Sequence, residues 1–172
     1  MIPLIIPFPS VFPPYYHGYI QRVVAPLTIA DFESSSNDLL QFFRNVPSSK
    51  YDYRYAEGKW TIKEILKHLI DCERIFAYRA LCFARQEPQA MLFFEENDYV
   101  LNSNASLQTM EDLMEEWESV RKATISLFKS FTAEDWKRVG KVGTLDMQNA
   151  AIAHILIGHP LHHMQIFQER YL

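Results

Sequence analysis

Trp60-Thr61-Ile62-Lys63-Glu64-Ile65-Leu66-Lys67-His68-Leu69-Ile70-Asp71-Cys72 holds the clearest helix start in the chain. Thr61 and Glu64 have the spacing of a capping box, and Trp60 and Ile65 stand at the two positions of a hydrophobic staple. Beyond them Ile62, Ile65, Leu66, Leu69, Cys72, Ile75, Phe76, Leu81 and Phe83 recur at helical spacing. This predicts a long helix from Thr61 to about Gln86, closed by Pro88. His68 lies between Ile65 and Cys72 on that stripe, so its ring faces inward.

Three more segments share this period. Upstream, Phe32, Leu39, Phe43 and Val46 mark a helix from about Thr28 to Asn45, ended by Pro47-Ser48-Ser49. Tyr51 to Gly58 has no sustained period and reads as a loop over the bundle end. Downstream, Pro88 to Ser106 is a long connection, of the kind that is functional or crosses between distant helix ends. A third helix is expected from about Thr109 to Phe131, with Leu113, Trp117, Val120, Thr124, Leu127 and Phe131 on one face. Thr132 to Trp136 repeats the capping pattern in a short extra turn, and Gly140-Lys141-Val142-Gly143 breaks the chain. A fourth helix, capped by Asp146, turns Ile152, Ile155, Leu156, His159, His163, Ile166 and Phe167 inward. With no alternating strand pattern and no internal repeat, the expected fold is all-α, a four-helix bundle.

The fourth helix carries Gly158-His159-Pro160-Leu161-His162-His163. His159 and His163 are one turn apart, about 40° around the axis, so both rings can reach one point. Burying two imidazoles on an apolar stripe is costly unless something links them, and a metal does so. His68 supplies a third ring from a separate helix. His162 is about 100° round from His163 and suits a place behind or beside the site, while His154 lies on the opposite side and reads as structural. Pro160 removes one backbone bond and is expected to kink the helix. Asp71 and Glu73, close to His68, are candidates to hold it from behind, because metal-bound histidines donate their other N–H to a carboxylate or carbonyl. Arg79 and Tyr99 are candidates to line a pocket.

The 172 residues, 48% hydrophobic and 22% charged, suit one domain at 14–172 preceded by a proline-rich strap at 1–13. Prolines 3, 7, 9, 13 and 14 prevent helix in the strap without preventing burial against the bundle or a second subunit. That strap lacks a basic n-region and is neither a signal peptide nor a membrane span. Pro14-Tyr15-Tyr16-His17-Gly18-Tyr19-Ile20 is either a pocket wall or a packed lead-in. The net charge of -4, with no Lys/Arg run, argues against nucleic acid as a partner. Cys72 and Cys82, about 15 Å apart along one helix, cannot form a disulfide and read as reduced residues of a cytoplasmic protein.

Tyr53-Arg54-Tyr55-Ala56-Glu57-Gly58-Lys59-Trp60-Thr61, His68-Leu69-Ile70-Asp71-Cys72-Glu73-Arg74 and Gly158-His159-Pro160-Leu161-His162-His163 together resemble the DinB/YfiT-like family, over about Pro14 to the C-terminus. The resemblance implies an up-down-down-up four-helix bundle, often a homodimer, with a divalent metal, zinc or nickel, on His68, His159 and His163. The residue after the leading histidine of the terminal motif is commonly Glu in this family, and here it is Pro160. Some members are thiol S-transferases using low-molecular-weight thiols; others are regarded as metal-dependent hydrolases. The expected function is therefore a metal-dependent enzyme with a small-molecule substrate, thiol transfer ahead of hydrolysis. The rival is a non-catalytic stress-response binding module. An enzyme should show a cavity over the histidines with polar groups such as Asp71, Glu73, Arg79 or Tyr99 converging on it; a binding module should show a closed, dry core.

Overall fold

In a computed structural model, residues 5–23 and 26–172 are described; the first four residues of the expected strap, Pro3 among them, lie outside these. The elements are α1 (His17–Ile20), α2 (Ile29–Asn45), α3 (Ile62–Ala84), α4 (Glu96–Leu101), α5 (Met110–Lys129), α6 (Ala133–Lys137), β1 (Val139–Val142), β2 (Leu145–Gln148) and α7 (Asn149–Arg170). Capping boxes start four of the helices, pairing Thr28 with Asp31, Thr61 with Glu64, Thr109 with Asp112 and Thr132 with Asp135. Each satisfies backbone N–H groups that a helix start would leave unpaired.

The four long helices form the up-down-down-up bundle of a DinB-like fold. Both α2 and α3 pack on α5 and on α7, so each pair of long helices α2/α3 and α5/α7, consecutive in sequence, sits at diagonal corners. The neighbours α3 and α5 are joined by the long segment 85–109. Two apolar clusters fill the interior. One holds Cys72, Phe76, Phe128, Trp136, Ile152 and Ile155; the other holds Ile65, Leu66, Leu69, Trp117, Phe167 and Tyr171. His68 of α3 and His159 and His163 of α7 fall where the first cluster gives way to the second.

Several expectations are corrected. The break at 140–143 is a β-hairpin, Val139 pairing with Gln148 and Val142 with Leu145, turned at Gly143 with φ +55°. Asp146 therefore does not cap the last helix. It lies in β2, where its carboxylate meets Lys141 Nζ at 2.8 Å, and the N-cap is Gln148. The connection 88–106 is not all loop. It carries α4, and Met91 joins the hairpin, accepting from Gly143 N and donating to Lys141 O, both at 2.8 Å. Leu81 is partly exposed, and α5 buries Arg121 and Phe128 more deeply than Val120 or Leu127. The buried face runs through Met110, Leu113, Trp117, Arg121, Ile125 and Phe128, and on it the Arg121 guanidinium meets Glu73, 3.1 Å away.

One inner face is too little for α7, where every residue from Asn149 to Pro160 is buried. The strap lies along the same chain's bundle. Ile6 N donates to Leu27 O at 2.8 Å, Gln148 N donates to Val11 O at 2.9 Å, and Phe8 meets the His154 ring edge-on. Among the described residues, no helix is long and apolar enough to cross a membrane.

Candidate metal centre

Helix spacing and diagonal connectivity bring three rings together. His159 Nε2 lies 3.2 Å from His68 Nε2 and 2.9 Å from His163 Nε2. In a tetrahedral zinc site with bonds of about 2.0–2.1 Å, ligand nitrogens stand about 3.3 Å apart. These two separations are close to that value, while the donors whose ligand atoms all lie within 4.8 Å of one another are His68, Cys72 and His159. Burial holds the His68 imidazole well below its ordinary value, at about 4. His159 and His163 are held low by burial and then by neighbouring rings. All three are therefore neutral at pH 7, the form that offers a lone pair to a cation. Among the described residues, the other ring nitrogen of His163, Nδ1, is buried with no hydrogen-bond partner, so the ring is held through Nε2 alone.

Cys72, read from sequence as a reduced core or groove residue, belongs here. Its Sγ lies 3.7 Å from Nδ1 and from Nε2 of His68. His68, Cys72 and His159 offer ligand atoms all within 4.8 Å of one another. The signal was present, since Cys72 is four residues from His68 on the same stripe. Burial pushes the Cys72 thiol upward in the absence of an ion.

A cavity of about 330 Å³ opens onto His68, Cys72 and His159. Its walls come from the lead-in (Tyr15, Tyr16, Tyr19), the long connection (Phe93, Phe94, Glu95, Glu96), the hairpin (Val142, Leu145, Met147) and Arg79. Tyr19 covers the His159 ring at 4.8 Å. Gly158 makes that approach possible, because a Cβ there would stand 2.0 Å from the Tyr19 carbonyl oxygen. Both readings of Pro14 to Ile20 therefore hold: Tyr15, Tyr16 and Tyr19 wall the cavity, and Ile20 is packed into the core. A second cavity, of about 220 Å³, reaches His163 from the other side between Tyr55, Trp60, Asn97 and Tyr171.

The remaining candidates divide. Arg79 lines the larger cavity; its Nη2 donates to Leu92 O at 2.6 Å and its guanidinium lies over the Phe76 and Phe94 rings. Glu73 does not back His68: it is fully buried against Arg121. Asp71 also faces away, 3.6 Å from Arg74 Nη1, in a groove shared with Tyr99 that does not reach the histidines. Glu73, five residues beyond His68, lies about 140° round the helix from it, whereas Asp71, three residues on, is only about 60° round and is drawn aside to Arg74. Tyr99 packs on Phe94. His162 is half-buried, its Nδ1 3.3 Å from Arg22 Nη2. His154 Nδ1 contacts Ala150 O at 2.8 Å, outside the cluster, and exposed His17 pairs with Gln21. Glu95, Glu96 and the hairpin were missed as cavity residues; only the hairpin had a local signal, Gly143-Thr144 between two short β-compatible runs.

Pro160 leaves the Leu156 carbonyl without its helical donor. Arg121 Nη2 supplies one at 3.0 Å. The helix runs on through the histidines, with Pro160 inside its assigned span.

Fold and centre together define a helical bundle with neutral, buried histidines converging beside an open cavity. The chain belongs to the DinB superfamily, whose family model matches residues 31–167. Among solved structures it is similar to YfiT from Bacillus subtilis, at 17% identity over 82% of both chains with a TM-score of 0.74. YfiT is described as a probable metal-dependent hydrolase with an unusual four-helix bundle topology. It also resembles a protein from Streptococcus pneumoniae (13% identity, 91% of this chain and 99% of that one, TM-score 0.67). A DinB-like protein of Bacillus subtilis, YjoA, matches at 16% identity over 82% of this chain and 88% of its own, with a TM-score of 0.57. No curated protein matches the sequence.

Proposed function

We propose that this chain is a metal-dependent enzyme in which His68, His159 and His163 hold one divalent ion, zinc or nickel, and which transfers a low-molecular-weight thiol to an electrophile. What supports the reading is the approach of three buried imidazoles, with His159 Nε2 3.2 Å from His68 Nε2 and 2.9 Å from His163 Nε2, and with His68 and His159 at the wall of a cavity large enough for a small molecule. An ion held there lowers the pKa of a thiol or a water that reaches it, yielding a nucleophile at neutral pH.

The chain's own residues supply the rest. Arg79 places a positive charge and Glu96 a carboxylate on the same cavity, suiting a small substrate with groups of both signs. Burial, and then the neighbouring Glu95, raises the Glu96 carboxyl above its ordinary range. Tyr15, Tyr16, Phe76 and Phe94 supply aromatic walls to the same cavity. Hydrolysis of a small substrate is the second reading, favoured by the description of YfiT.

Metal analysis of protein purified without a histidine tag, followed by thiol-conjugation and esterase assays before and after chelation, tests both. One ion per chain and conjugation that disappears with the ion are expected. A chain that binds no ion sinks the enzyme reading; one that binds the ion but turns over neither substrate class is a binding module. We further propose that the chain forms a homodimer through the exposed apolar edge of the strap and lead-in, Phe8, Val11 and Tyr15. A concentration-independent monomer mass in light scattering would contradict this.

A further inference from the structure

Among the described residues two arginines are buried, Arg79 and Arg121. Arg121 meets a carboxylate, Glu73, at 3.1 Å. Arg79, 2% exposed, forms no ion pair with any described residue. Its Nη2 donates to Leu92 O at 2.6 Å, its guanidinium carbon lies 5.1 Å from the Phe76 ring centroid and 5.6 Å from that of Phe94, and its Nη1 is buried without a hydrogen-bond partner. We infer that Arg79 anchors the carboxylate of the small molecule that the larger cavity takes up, an apolar or aromatic monocarboxylate. The inference rests on the reading that this cavity receives the substrate, and not on the ion.

Charge and burial carry it. A guanidinium keeps its charge in a protein, and taking it out of water without a counter-charge is costly. Two aromatic faces and one carbonyl offset part of that cost. A carboxylate offsets more, through charge-assisted hydrogen bonds to a donor that otherwise has none. Holding Leu92 O needs only a neutral donor, so the charge itself has no structural use in the empty cavity. Arg79 lines the same cavity of about 330 Å³ as His68 and His159. Of the two rings on the guanidinium, Phe76 is buried in α3, whereas Phe94 is half-buried on the connection after it. Phe94 is therefore the ring that gives way as a carboxylate reaches Nη1.

The surroundings narrow the ligand class. Glu95 and Glu96 line the cavity too, and their charges oppose a second negative group on the ligand. A phosphate monoester is disfavoured on that ground, and a single carboxylate is not. Tyr16, Phe76, Phe93 and Phe94 offer aromatic contact to the rest of the molecule.

Calorimetric titration of the full chain, as purified and again after metal removal, gives the test. In both states phenylacetate should bind, while phenylacetamide, of the same shape without the charge, and phenyl phosphate, with more charge, should each bind about tenfold more weakly or worse. Arg79→Met should weaken phenylacetate by a similar factor and leave phenylacetamide unchanged. No binding of phenylacetate, or equal binding of the amide, overturns the inference; phenyl phosphate binding as tightly overturns the monocarboxylate class. Undiminished phenylacetate binding to Arg79→Met, or binding that vanishes with the metal, places the carboxylate elsewhere and overturns the anchor. Should Arg79→Met fail to fold, nitrogen-15 NMR of the wild-type chain decides: the Arg79 Nε–H signal should move with phenylacetate and stay with phenylacetamide, and a signal that phenylacetate leaves in place refutes the inference. A chain that binds phenylacetate through Arg79 but holds no metal keeps this inference and loses the proposed enzyme.

Discussion

At the residue scale, the proposed metal site depends on three side chains of one kind. His68→Ala, His159→Ala or His163→Ala should each reduce bound metal well below one ion per chain, whereas His154→Ala and His17→Ala should leave it near wild type, as measured by plasma emission on dialysed protein. Loss of one donor in three removes much of the binding free energy, while His154 and His17 hydrogen-bond to Ala150 and Gln21 away from the cluster. Equal loss across all five would mean the rings do not act together. The same burial sets a pH dependence. In the metal-free chain the folded pKa of His68 is about 4 and those of His159 and His163 are also depressed, while unfolding returns each ring to about 6.5. Between those values the unfolded chain holds more protons, so stability is fully present above about pH 6.5 and is lost on acidification towards about 4. Each ring contributes up to about 1.4 kcal/mol per pH unit inside that window. Urea midpoints at pH 7.5 and pH 5.0 should differ accordingly; identical midpoints would contradict the neutral state assigned to the cluster.

At the element scale, α7 shows how a proline is tolerated in a buried helix. Arg121 donates to the Leu156 carbonyl that Pro160 leaves free and is itself paired with Glu73. Arg121→Met strands a buried carboxylate and an orphan carbonyl, and should cost about 3–5 kcal/mol. In the Pro160→Ala background the new amide can take the Leu156 carbonyl. The cost of Arg121→Met should therefore fall by about 1 kcal/mol, read as the coupling energy of a double-mutant cycle in urea. Additive effects would show that the two residues act separately. The elements themselves were legible to differing degrees. Helices α2, α3 and α5 were readable because threonine caps and a single apolar stripe mark each one. The inner stripe of α7 was not, because apolar and polar residues alike are buried around its first half, and periodicity reports a boundary with water that this helix lacks there. Strands of four residues carry too little alternation to register, although the glycine turn between β1 and β2 could have exposed the hairpin. The histidine triad was readable from spacing. Asp71 and Glu73 misled because proximity in sequence to His68 says nothing of direction, which the helix turn fixes for Glu73 and the pairing with Arg74 for Asp71.

At the scale of the whole molecule, the strap belongs to the bundle's packing. Ile6 is fully buried, and its amide pairs with Leu27. Ile6→Ala should cost about 2–4 kcal/mol, in the range of other core truncations, measured by chemical denaturation. A change below about 0.5 kcal/mol would mean that the strap is an appendage. The larger cavity follows from the same large-scale arrangement. Its walls combine a lead-in before α2, a connection after α3 and a hairpin before α7, segments that no local window could have placed together.

Diagonal placement of α2 against α3, and of α5 against α7, also governs how the chain reaches this state. No pair of long helices joined by a short turn can close as a local hairpin, so most of the ring of contacts joins segments far apart along the chain, at a loop-closure cost that short-turn bundles avoid. His68 and His159 are 91 positions apart. The three imidazoles therefore meet only after the non-local contacts of α3 with α7 have formed, and an ion bound by them, as proposed, would sense the completed topology: it would report late assembly and stay silent towards any intermediate in which α7 is still undocked.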